Sequence, residues 1–143
     1  MNLSKALKKK SKLVSQINKE FEKFQRNNSY LEGREPLVNP AEALEKWIGL
    51  TEELVDLKTR IQKANQGIYH KIFMLAETKS MISKLQGVNT KSGFVADLYG
   101  AGVDKNYVAL VNEIDMMKML ESYEEQIETL QDEIDAYNLT TKI

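Results

Sequence analysis

His70 is the first residue to weigh for chemistry, because imidazole titrates near neutral pH and is the commonest protein metal ligand. It is the only histidine, and residue 67, where a helical di-iron motif would place Glu, is Gly. With no Cys in 143 residues, disulfides, thiolate metal sites and cysteine nucleophiles are excluded, so His70 reads as a surface or interface residue. Gly100-Ala101-Gly102 followed by Lys105 has the residue types of a phosphate cradle, in which successive backbone N–H groups converge on an anion. The Gly-Lys-Ser/Thr ending of a P-loop is missing, as is the alternation of strands and helices that a dinucleotide fold needs, so these residues read as a turn. The carboxylates between Glu113 and Asp135 are spread too regularly for an acid–base pair and describe a solvent or partner face. Met116, Met117 and Met119, with Met74 and Met81, suit either an adaptable binding surface or core filling, the second being the simpler reading. Trp47 and Phe73 read as core or interface anchors. The expectation is a protein that is not an enzyme, with no catalytic, cofactor-binding or metal-ligating residue and no cofactor.

The remaining chemical feature is basic: Lys5, Lys8, Lys9, Lys10 and Lys12 form a cluster able to contact phosphates. It contains no Arg, and no aromatic residue precedes Phe21, so neither base readout nor stacking is indicated. A solvated face, or one complementing an acidic helix, is the preferred reading.

These side chains must be positioned by helices, because the chain is 42% hydrophobic and 29% charged with only 7 Gly and 2 Pro. Leu3, Leu7, Val14, Ile17, Phe21 and Phe24, with Lys10 filling the gap, alternate four and three and predict a coiled-coil-type helix over about residues 3–28. Gly33 and Pro36 then enforce a loop. Asn39 as cap, Pro40 in the first helical position and Glu42 reaching back predict a second helix over 40–65, with Leu44, Trp47, Leu50, Leu54, Leu57, Ile61 and Ala64 as its stripe. Asn65-Gln66-Gly67 ends it, Gly67 being able to take a left-handed cap. A third helix over 69–86 carries Ile72, Leu75, Ala76, Ile82 and Leu85 as its core side. Residues 87–112 hold four glycines and apolar runs without helical spacing, and predict an irregular excursion with a small β-hairpin. The last helix, over 113–137 and capped by Asn112, repeats the four-three spacing through Met116, Leu120, Tyr123, Ile127, Leu130, Ile134 and Tyr137. One all-α domain over 1–143 is expected, an elongated antiparallel bundle of coiled-coil character.

Charge is polarised along the chain although the total is only −1. Residues 1–26 hold eight basic groups against two acidic, a net of +6; residues 112–137 hold nine acidic groups against Lys118, a net of −8. Two such helices attract each other and repel their own copies, which predicts packing of the first on the last, within one chain or swapped between two. No run after Met1 has the apolar length of a secretory signal and no window reaches the length of a membrane span, so a cytoplasmic protein without membrane contact is expected.

With these landmarks placed, the chain resembles the septicolysin-like family of small, largely uncharacterised bacterial helical proteins. The resemblance rests on Leu3 to Leu7 opening a long helix, on Leu31-Glu32-Gly33 followed by Asn39-Pro40, on Arg60-Ile61 before Ala64-Asn65, and on Leu130, Ile134, Asn138 and Thr140-Thr141. Family members tend to carry Trp where this chain has Leu139. The resemblance implies an all-helical fold and leaves function open.

The sequence therefore points to a structural or adaptor protein acting through helix–helix contact, a homo-oligomer, most simply a dimer, with an unidentified protein partner. Its interaction candidates are Lys5, Lys8, Lys9, Lys12, Trp47, Phe21 and Phe24. One alternative is nucleic-acid or anionic-surface binding through Lys5–Lys12; another is a small-ligand protein using the 87–112 loop.

Overall fold

The computed structural model describes residues 1–95 and 105–143, and among these the chain is all-α apart from one short hairpin. Helix α1 spans Leu3–Asn27, α2 Pro40–Ala64, α3 Tyr69–Leu85 and α4 Glu113–Thr140, with a single 3₁₀ turn at Asn65–Gly67. Each expected helix is present, its ends moved by one residue at most except at the carboxyl end of α4. The excursion holds the expected hairpin: β1 (Gly93–Val95) pairs antiparallel with β2 (Lys105–Tyr107), Phe94 opposite Asn106. Gly93, at φ +89°, supplies a conformation that an L side chain rarely adopts. Gly100-Ala101-Gly102 lies outside the described residues.

Local chemistry explains the boundaries. Asn2 Oδ1 accepts from the Lys5 N–H at 2.9 Å and caps α1, while Asn112 Oδ1 accepts from the Asp115 N–H at 2.9 Å and caps α4. Asn39 caps α2 by accepting from the Ala41 N–H at 2.9 Å, rather than through a reciprocal box with Glu42. Gly67 differs from expectation: its φ is not positive, so it is not a left-handed cap. A β-carbon there would stand 2.7 Å from the Tyr137 hydroxyl, which donates to the Ala64 carbonyl at 2.8 Å. Glycine at 67 leaves room for the Tyr137 hydroxyl.

The described residues group into two compact units, Met1–Ile68 with Asp135–Ile143, and Tyr69–Ile134. In the first, α1 and α2 form an antiparallel hairpin around Leu3, Ala6, Leu13, Leu57 and Ile61, flanked by Leu7, Leu50, Leu54, Ala64, Tyr137 and Ile143. The final residues stitch this unit shut: the Leu3 N–H donates to the Thr141 carbonyl at 2.8 Å, Asn2 Nδ2 to the Leu139 carbonyl at 3.1 Å, and the Ile143 N–H to the Met1 carbonyl at 3.1 Å.

The buried side of α1 is turned from the expected seam. Leu3, Ala6 and Leu13 are buried, whereas Val14 is 41% and Phe21 39% exposed. Ala6 has only a methyl group and lets α2 approach closely on that side, so α2 settles on the line through residues 6 and 13 instead of 7 and 14.

In the second unit α3 runs antiparallel to α4, with Lys71 Nζ 3.0 Å from Glu133 Oε2 near one end. Ile72, Leu75, Ile82 and Leu85 are half-buried, and Ala76 is exposed. Thr78, a polar residue with no place in the apolar pattern, is buried because its hydroxyl donates to the Met74 carbonyl at 2.6 Å. The methionines divide: Met116 is buried, while Met74, Met81 and Met117 are exposed, so core filling describes the first and not the other three. Phe73, expected as an anchor, is exposed and stacks on Tyr69 with ring centroids 5.7 Å apart.

Candidate functional site

Helical periodicity places residues seven apart nearly in line, about 10 Å from one to the next. On α1 this aligns Lys5, Lys12, Lys19 and Arg26, all exposed, with Lys8 and Lys9 on the adjoining lines. The cluster therefore continues as a basic arc along the whole helix. Lys9 Nζ lies 2.7 Å from Glu53 Oε1 of α2. Gln16, Glu20 and Lys46 flank the pair on this edge of the hairpin, with Gly49 and Leu50 between them.

The opposite flank of α1 carries no charge at all. Ser4, Leu7, Ser11, Val14, Asn18, Phe21 and Gln25 occupy it from end to end. The contact between Phe21 and Trp47, with ring centroids 5.1 Å apart and planes at 43°, fixes which side of α2 adjoins this flank. That side presents Leu44, Ile48, Thr51 and Val55, then Lys58 and Gln62. Ile48 is 46% and Val55 60% exposed. Leu7, Leu44 and Trp47 are half-buried, so Trp47 is an anchor at the hairpin surface rather than a core residue.

Two hydroxyls near the middle of this flank are already satisfied by their own helices. Ser11 Oγ donates to the Leu7 carbonyl at 3.4 Å and Thr51 Oγ1 to the Trp47 carbonyl at 2.7 Å. Covering the flank would strand neither donor.

The sequence candidates are thus sorted onto two faces. Lys5, Lys8, Lys9 and Lys12 belong to the basic arc, Phe21 and Trp47 to the uncharged flank, and Phe24 is half-buried farther along α1. Packing of the first helix on the last was the expectation from charge, but within this unit α1 lies along α2 and α4 contributes only its final residues. Ile48 and Val55 escaped the sequence reading. The signal available was their own spacing of seven, one residue off the α2 stripe.

The second unit holds an apolar recess of about 400 Å³ lined in part by Leu85, Val88, Tyr107, Leu110, Met116 and Met119. Lys91 Nζ stands 5.4 Å from the centre of the Tyr107 ring. His70 is exposed. Among the described residues no group of three or more His, Asp or Glu stands close enough to hold a metal ion, and no helix is long and apolar enough to cross a membrane.

The chain matches no family model, and neither a curated protein nor a solved structure was found similar to it. The reading of its surfaces therefore stands on their chemistry alone.

Proposed function

We propose that the chain is a non-catalytic structural or adaptor protein of the cytoplasm, acting through helix–helix contact and self-association. What supports this reading is the set of large apolar side chains left exposed at helical positions: Ile48 and Val55 on α2, Phe73 on α3, Ile114 and Met117 on α4. Of these, Ile48 and Val55 lie two turns apart on one side of α2, with Val14 and Phe21 exposed on the adjoining flank of α1, and apolar surface grouped in this way marks a place for a partner. We further propose kinship with the septicolysin-like proteins. Three of the four landmarks of that resemblance lie wholly in the first unit and the fourth in part, and Leu3, Ile61 with Ala64, and Thr141 close its core and join the chain ends.

Thermal unfolding tests the self-association. An obligate dimer gains stability by mass action, so its Tm should rise by about 4 °C over a hundredfold increase in concentration. A Tm independent of concentration contradicts the reading.

The basic arc of Lys5, Lys12, Lys19 and Arg26 favours a second reading, binding to nucleic acid or another anionic surface. That reading requires salt-sensitive binding of mixed-sequence DNA or RNA by the wild type, lost when Lys8, Lys9 and Lys12 are all neutralised. Absence of such binding at low salt removes it.

A further inference from the structure

We propose that the uncharged flank of the α1–α2 hairpin is the self-association surface, and that its occupant is the same flank of a second copy. The inference rests on the self-association reading above and names its surface. Three observations carry it.

The first is the double seam of α1. Leu3, Lys10, Ile17 and Phe24 form a line shared by two overlapping stripes. One, through Ala6 and Leu13, is used by α2; the other, through Leu7, Val14 and Phe21, is open. A helix with two such stripes is patterned to sit between two neighbours. On α2, Ile48 and Val55 widen the open side in the same way.

The second is charge. A two-fold interface sets a surface against its own copy, so any net charge on it repels. The basic arc is therefore unsuited to this contact, whereas the flank carries only Lys58 near the end of α2, with Lys10 on the line it shares with the stripe facing α2. Depletion of charge at the centre is what a protein–protein interface needs.

The third is polar satisfaction. Ser11 and Thr51 keep their hydroxyl hydrogen bonds when the flank is covered, so drying its middle strands neither hydroxyl, and the amides of Asn18, Gln25 and Gln62 are left to pair across the interface. Two hairpins meeting in this way make a four-helix assembly.

The test uses the full chain with Val14→Glu and Val55→Glu together. Both positions are exposed, and circular dichroism verifies that helix content is kept. Size-exclusion chromatography with light scattering should show the wild type as a dimer and self-association of the variant weakened by roughly 100-fold or more, because carboxylates would be buried without partners. Mixing it with a Val14→Lys, Val55→Lys chain should restore a dimer, which a merely misfolded variant could not do. A wild-type dimer whose double variant associates equally tightly overturns this surface and leaves self-association intact. A monomeric wild type overturns both.

Discussion

At Gly67 one missing methyl group decides the local packing. The Tyr137 hydroxyl occupies the space a β-carbon would need, and its hydrogen bond to Ala64 ties α4 to the end of α2. Tyr137→Phe should cost about 1 kcal/mol, the usual net contribution of such a bond. Gly67→Ala should destabilise the wild type but stabilise the Tyr137→Phe chain by roughly 0.4–1 kcal/mol, because the nearest remaining ring carbon is at an ordinary 3.4 Å and the backbone is not left-handed. A double-mutant cycle in urea reads that change of sign; additive effects would show that the two residues do not meet. Trp47→Ala, at a half-buried position against Phe21, should cost about 2 kcal/mol, less than the roughly 3–5 kcal/mol of a fully buried Trp. At this scale the sequence was a good guide where a residue acts on its own backbone, as the caps Asn39 and Asn112 do. It was a poor one for Gly67, whose neighbour is seventy residues away.

Helices as units were legible because spacing, caps and breakers agree over α1 to α4. Which side of a helix is covered was not. Leu3, Lys10, Ile17 and Phe24 fit two stripes equally, and the choice between residues 6 and 13 or 7 and 14 is made by the partner helix rather than by α1. Charge decides helix pairing only weakly for a related reason: the +6 and −8 segments are large in number but exposed, and screening leaves each pair little influence. The lysines therefore have a measurable signature. Replacing Lys8 and Lys12 by Ser should leave stability within about 0.5 kcal/mol, since both are exposed. Lys9→Ser should lose under about 1 kcal/mol through its half-exposed pair with Glu53, and the loss should vanish in high salt. A salt-sensitive loss of several kcal/mol from Lys8 and Lys12 would restore a structural role to the charge asymmetry.

For the molecule as a whole, two compact units share one long helix, and the first unit is closed by residues from both ends of the chain. The helical content and the hairpin could be read in advance. Partition into units could not, because α4 has one continuous apolar line and nothing in its sequence marks the change at Asp135. The candidate surface was half legible: Phe21 and Trp47 stand out by type, whereas Ile48 and Val55 acquire meaning only once the hairpin sets them beside Val14. Self-association is the proposed reason these side chains are left exposed. Sedimentation equilibrium of the intact chain at tens of micromolar measures this most directly. The account predicts about 33 kDa, twice the 16.4 kDa of one chain. A mass of 16.4 kDa, unchanged on further concentration, would contradict it.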